Sequence, residues 1–308
     1  MMSKQKENRW TNFALRIIVN TVSHPFEYAK ILIQIGYEPI PPRPAKTLFG
    51  KPALKLPNIF EYVKHIKSVD GLAGCYNGLT PKITGNMLSA IATYRLTEYL
   101  NPPCDDEEFD EEPTEEQRKK QFVRKLKCDV VLHSCAIVVS QPFHVITVRM
   151  MAQFVGRETK YNGIFSSVKE IYHQNGVLGF FSGLIPRLLG DILSLLLASS
   201  LTYAVSHYLI EDRDLHVYTS ATMSFLATAI TYPFQVISNC MAVTNSGLMA
   251  GSPNFMPHYS TWLDCYNDLS SKNQLKRGSS LLVRYYVGPS IVIGGKAMPF
   301  PKDVKAVS

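Results

Sequence analysis

Five stretches of the chain are long and apolar enough to read as helices crossing a bilayer, at residues 11–36, 79–100, 127–153, 184–210 and 217–243, since about 20 residues span a hydrocarbon core. None is uniformly apolar. The first, third and fifth are each interrupted by a Pro-Phe pair, at Pro25, Pro142 and Pro233. Proline removes one backbone donor from a helix and bends its axis, which predicts three kinked helices. Aligned on these prolines, positions −9, −5, −2, +2 and +5 hold Arg16, Asn20, Ser23, Glu27 and Lys30 in the first run. The second has His133, Ile137, Ser140, His144 and Thr147, and the third has Ser224, Thr228, Thr231, Gln235 and Ser238. Steps of four and three keep each set on one helical face. All but Ile137 are polar, so one polar stripe recurs on three helices.

The segments between the runs repeat as well. Residues 56–85 align without a gap on residues 161–190, with eleven of thirty positions identical, among them Gly71/Gly176, Gly78/Gly183, Pro81/Pro186 and Gly85/Gly190. Lys82 faces Arg187 in this alignment, and Asn86 faces Asp191. The unit is a kinked span, a loop, a short amphipathic surface helix (58–69 in the first copy), a Gly-punctuated turn and a second span. Residues 36–57, rich in Pro and Lys, read as an exposed loop. A third unit starts at Pro233-Phe234 and decays. Only 281–293 remains as an apolar run, broken by Arg284, Gly288 and Pro289, too short for an ordinary span. The divisions expected are repeat one at 1–100, an acidic linker at 101–126, repeat two at 127–216 and a degenerate repeat three at 217–308.

Composition alone, with 46% hydrophobic residues, does not separate a soluble helical protein from a membrane protein. Runs such as LLGDILSLLLASSLTYAV favour the membrane. The net charge of +7 is unevenly spread: residues 101–120 hold nine acids and three bases, leaving 29 bases against 16 acids elsewhere. Nine acids close together repel and stay solvated. The basic remainder suits an anionic lipid surface, and no nucleic-acid module is present. Six cysteines are scattered with neither a CxxC pair nor metal spacing, and His133 and His144 lie eleven apart with no third ligand. No phosphate loop, catalytic triad or carboxylate pair stands out, so the expectation is a non-enzyme without metal or cofactor.

Three tandem units, each with a Pro-containing odd helix and a Gly-rich turn before the even one, resemble the mitochondrial carrier family. That family's odd-helix signature is Pro-x-acid-x-x-base. Here the first unit keeps it as Pro25, Glu27 and Lys30. The second has His144 and Thr147, with Arg149 at +7, and the third has Gln235 and Ser238. In carriers these acids and bases form a gate, so the resemblance implies that a gate lacking two of its three ion pairs does not close here. The runs KILIQIGYEP, QPFHVIT and GFFSGLIPRLLGDILSLLL are similar to the mitochondrial carrier homolog group of the outer membrane. This likeness implies a multi-pass, all-helical outer-membrane protein, a three-repeat barrel whose sixth helix is missing or degenerate. It implies an insertase for tail-anchored and other α-helical proteins, with older roles as receptor for a pro-apoptotic partner and in lipid scrambling. Competing readings are a small-molecule carrier and a scaffold.

Without a sixth helix, the polar stripes would face lipid through a lateral groove that water must fill. Lys30 and Asp191 are the charges expected to act there, with Glu27, Arg187, Gln34, His144, Arg149 and Gln235 lining the groove. The structural alternatives are a Lys30–Glu27 pair and an Arg187–Asp191 pair at i, i+4.

Overall fold

The computed structural model describes the backbone of residues 2–47, 49–100, 115–208, 215–253, 255–288, 290–293 and 296–299. Side chains are described within these ranges except at 2–14, 16, 100, 207–208, 215–217, 291–293 and 296. Helix α1 covers Met2–Gln34, with Pro25 in its interior. Strands β1 (Arg43–Lys46) and β2 (Pro52–Leu56) follow as an antiparallel hairpin where the sequence reads as loop. The missing information is long-range: β2 also pairs with β3 (Arg284–Tyr285) from the far end of the chain, and Leu54 is buried. Arg284 holds the junction, bonding the Glu38 carboxylate and the Pro57 carbonyl.

Surface helix α2 (Ile59–Gly74) is capped by Asn58, whose side chain accepts from the Glu61 N–H, and it buries Ile59, Tyr62 and Ile66. Helix α3 (Leu79–Leu100) completes the first unit. Helix α4 (Glu115–Ala152) contains Pro142. It begins a dozen residues before the expected span, so 115–126 is helix rather than linker. Its first turns are rich in Gln, Lys and Arg, good helix formers, and Glu115 and Glu116 sit at the positive end of the helix dipole. The rest of the expected linker, 101–114, lies outside the described residues. Surface helix α5 (Ile164–Asn175), a 3₁₀ turn at Val177–Phe181 and α6 (Leu184–Tyr208) complete the second unit. Helix α7 (Leu215–Val243), containing Pro233, opens the third, followed by α8 (Trp262–Ser271) with a Thr261–Asp264 capping box.

The repeat extends further into the third unit than the sequence shows. Gly78, Gly183 and Gly278 occupy the same turn position, each with φ between 74° and 84°, a region that favours glycine. The carbonyl before each glycine is bonded by the residue preceding the unit's proline: His24 Nε2 meets Asn77 O at 3.0 Å, Gln141 donates to Ser182 O at 2.8 Å, and the Tyr232 hydroxyl donates to Arg277 O at 2.8 Å. Beyond this point the units diverge. Gly78 and Gly183 lead into α3 and α6, whereas residues after Gly278 form bends, β3, and a hairpin of β4 (Ser290–Ile293) and β5 (Lys296–Pro299). Among the described residues no helix follows α8.

Helix α3 packs along α4, and α6 along α7. The aligned glycines explain the closeness: a Cβ on Gly85 would sit 2.8 Å from Phe143 Cβ, and one on Gly190 2.6 Å from Phe234 Cβ. Phe143 and Phe234 thus each fill the space left by a glycine of the preceding unit. The core lies at the C-terminal ends of α1, α4 and α7, where Tyr28, Leu32, Ile33, Ile146, Met151 and Ile237 are buried with residues of the surface helices. At the opposite end Leu15, Ile18, Val19 and Val22 of α1 and Phe225 and Ile230 of α7 are exposed. By length and composition, three stretches suffice to cross a membrane: Glu115–Ala152, Val177–Ser206 and Tyr218–Val243. Helices α1 and α3 stand where the other two crossings are expected but are less apolar, α3 carrying Lys82, Asn86, Arg95 and Glu98.

Candidate functional site

A cavity of about 380 Å³ lies between α1, α3, α4, α6 and α7, above the core. The polar stripes converge on it: Glu27, Lys30 and Gln34 from α1; Ser140, His144 and Thr147 from α4; and Thr228, Thr231, Gln235 and Ser238 from α7. The even helices add Lys82 and Asn86 from α3 and Arg187, Asp191 and Ser194 from α6. Every expected groove residue except Arg149 therefore lines one chamber.

The charges pair in a way the sequence did not suggest. Glu27 bonds Lys82 from α3 rather than Lys30 one turn on. Lys30 instead places its ammonium 5.3 Å from the centroid of the Tyr232 ring, a cation–π contact. Arg187 donates to Gln141 Oε1 at 2.8 Å and holds Asp191 more loosely, Nε to Oδ2 at 4.0 Å. The i, i+4 pair therefore exists, yet Asp191 keeps 45% of its side-chain surface open to the cavity. Lys82 aligns with Arg187 across the repeat, and both stand on the even-helix wall of the cavity.

The cavity floor corrects the expectation of a gate that does not close. A directional chain of hydrogen bonds ties the three odd helices together. His144 Nε2 meets Asn239 Oδ1 at 3.1 Å, and Asn239 donates to Gln34 Oε1 at 2.7 Å. Gln34 donates to the Tyr232 hydroxyl at 2.9 Å, which donates to the Arg277 carbonyl at 2.8 Å. Because the Asn239 amide nitrogen is committed to Gln34, its oxygen accepts, which places the His144 proton on Nε2. Gln34 and Asn239 are 1% and 3% exposed. Such a chain polarises along its length and joins buried groups without any charge. Below it Leu32, Ile33, Met151 and Ile237 close the bundle. Neutral side chains shut the end where ion pairs were expected to fail.

Arg149 belongs to that closed layer, which corrects its expected place in the groove. It is wholly buried, with Nε donating to Ala242 O at 2.9 Å and Nη1 to Asn175 Oδ1 at 2.9 Å, and the Tyr161 hydroxyl at 3.4 Å. Five residues beyond His144, it lies about 140° further around the helix and below the floor. It clamps α4 to the end of α7 and to α5. Sequence reading missed Asn239 and Tyr232, which stand at +6 and −1 from Pro233, outside the aligned stripe.

The chamber holds Lys30, Lys82 and Arg187 against Glu27 and Asp191, so it is hydrophilic and carries an excess of one cation. It is suited to hydrating and holding a polar or anionic group within the membrane's thickness.

Repeated units of Pro-containing helix, surface helix and second helix around a polar cavity, with stretches able to cross a membrane, define a carrier-type membrane protein. The family model described as mitochondrial carrier protein matches residues 13–102 and 118–213. The chain is 40% identical over 271 residues to mitochondrial carrier homolog 2 of Mus musculus, covering 85% of this chain and 89% of that protein. The Homo sapiens protein of the same name is 39% identical over the same coverage. Mitochondrial carrier homolog 1 of Mus musculus is 36% identical over 293 residues, 88% of this chain and 75% of that one. The chain belongs to the mitochondrial carrier family, among the mitochondrial carrier homologs.

Proposed function

We propose that this chain is an insertase of the mitochondrial outer membrane that passes tail-anchored and other α-helical proteins into the bilayer through its polar chamber. One observation carries the reading. The chamber is shut below by the Tyr232–Gln34–Asn239–His144 chain, while no described helix follows Gly278 to cover α1 as α3 covers α4 and α6 covers α7. A polar chamber open toward lipid fills with water and thins the adjoining bilayer, because charges facing hydrocarbon cost a few kcal/mol or more each. The difficult step for a tail anchor is moving its short polar end across hydrocarbon. A wall bearing Lys30 and Asp191 would lower that barrier by offering hydrogen bonds along the way. Purified chain in liposomes should insert a tail-anchored client faster than empty liposomes do. Lys30→Glu and Asp191→Arg should alter that rate without lowering protein abundance. Folded wild type giving only the empty-liposome rate removes the reading; normal insertion by both variants removes the role of these charges.

A small-molecule carrier is the second reading, favoured by family membership and by the cationic excess of the cavity, which suits an anionic solute. It requires the floor to open in each cycle. Specific exchange of one metabolite by the same liposomes, with no client insertion, would establish it.

A further inference from the structure

Helix α4 is far longer than a crossing requires. Residues 130–148 carry no Asp, Glu, Lys or Arg and suffice for the span, yet the helix starts at Glu115. The added turns are strongly basic: Arg118, Lys119, Lys120, Arg124, Lys125 and Lys127 follow one another with no acid between 117 and 128. All six are exposed. Lys119, Lys120, Val123, Arg124 and Lys127 line a shallow open concavity of about 450 Å³ together with Glu116, which pairs with Lys120 at 3.0 Å. The other acids nearest in sequence are the run from Asp105 to Glu112 and Glu115 before it, and Asp129 after it.

Depth decides what this face meets. At 1.5 Å per residue, Lys119 stands roughly 16 Å outside the apolar segment and Lys127 within about 5 Å of it. The cations therefore span the headgroup layer and the first ångströms beyond it, within about one Debye length of the surface. The extension is held at this depth. Phe122 stacks on Tyr203 of α6, ring centroids 4.4 Å apart, which ties the extension to the neighbouring helix. A free cationic arm would sample many heights, whereas this one is pinned beside the chamber's mouth.

We propose that the basic extension of α4 is a docking surface for anionic phospholipid headgroups, gathering them at the mouth of the cavity. The inference rests on α4 alone and is independent of what passes through the chamber. Headgroup phosphate and carboxylate match the cations in charge and in height, and Lys or Arg near an anionic leaflet is attracted within the screening distance.

The test uses the full chain in phosphatidylcholine nanodiscs containing a minor fraction of photo-crosslinkable phosphatidylserine or, in parallel, photo-crosslinkable phosphatidylcholine. Adducts on residues 115–130 are mapped by mass spectrometry. The expected result is phosphatidylserine labelling at least about fivefold above phosphatidylcholine, falling toward parity when Lys119, Lys120, Arg124 and Lys127 are all changed to Gln. An exchange of Lys119, Lys120 and Lys127 to Arg keeps the enrichment and controls for folding. Equal labelling by the two lipids in wild type overturns the proposal, as does enrichment that survives the Gln changes. Enrichment appearing only after residues 104–114 are deleted also overturns it, because the acidic run of the same chain would then be the occupant.

Discussion

Asn239→Ala tests whether the neutral chain is what closes the cavity floor. Asn239 makes two links, donating to Gln34 Oε1 at 2.7 Å and accepting from His144 Nε2 at 3.1 Å. Truncation strands both partners. Gln34 is 1% exposed, so water does not replace the lost donor, and an unsatisfied buried carbonyl costs about 1–3 kcal/mol. His144 borders the cavity and can turn to water, which puts its penalty near the lower end of about 1–3 kcal/mol. The sum is about 2–4 kcal/mol, or a fall in Tm of roughly 3–6 °C for a chain of this size. Unfolding is conveniently followed in detergent by a thiol-reactive dye, since Cys75, Cys240 and Cys265 are buried in the folded chain. Gln34→Ala completes a double-mutant cycle, and the two changes should fall short of additivity by about 1 kcal/mol or more because they share one bond. The deficit should not shrink at high salt, as it would for an ion-pair gate. A Tm unchanged within error, or strict additivity, would refute the floor as argued.

Two further expectations follow from the packing. Arg149→Ala should lower stability by about 2–4 kcal/mol, by stranding the Ala242 carbonyl and the Asn175 amide, while Lys30-dependent insertion by the protein that still folds stays unchanged. A selective loss of insertion at full stability would return Arg149 to the chamber. Gly190→Ala places a methyl carbon 2.6 Å from Phe234 Cβ and should cost about 1–3 kcal/mol by prying α6 from α7, read as a lower Tm; an unaltered melting curve would show that these helices yield freely.

The helices and the chamber were largely legible in the sequence, because both depend on periodicity. A polar residue every three or four positions on an otherwise apolar run faces something wet, and three such stripes faced the same cavity. The repeat alignment also carried the even-helix wall, setting Lys82 against Arg187 and Asn86 against Asp191. What could not be read has a common cause: it depends on partners far away in the chain. The β1–β2 hairpin is completed by β3, more than two hundred residues later, and nothing in a Pro- and Lys-rich loop announces that pairing. Gly278 keeps its turn position, but Ser271 and Gln274 stand seven and four residues before it, where the first two units have Gly71 and Gly74 or Gly176 and Gly179, so the glycine punctuation that marks the turn is gone.

The floor is the most instructive case. Reading only the Pro-x-acid-x-x-base positions, two of three pairs vanish and the gate falls open. Closure needs donors and acceptors within about 3 Å, not charges in equivalent registers. The four members stand at +9 from Pro25, at +2 from Pro142, and at −1 and +6 from Pro233, so no repeat alignment superposes them. Three tight helix ends bring them together regardless of register. The exchange of ions for amides has a mechanical consequence. Ion pairs at a hydrated gate can separate and be solvated one at a time, whereas breaking the neutral chain at Asn239 strands a buried carbonyl on Gln34 at once. Such a floor favours staying shut, and on the proposed reading a segment entering the chamber would meet less resistance beside α1, where among the described residues no helix follows Gly278, than through the bottom. On the proposed reading, the replacement of the ionic gate by a neutral floor and the absence, among the described residues, of a helix after Gly278 belong to one change, from a passage through the protein to a path out of its wall.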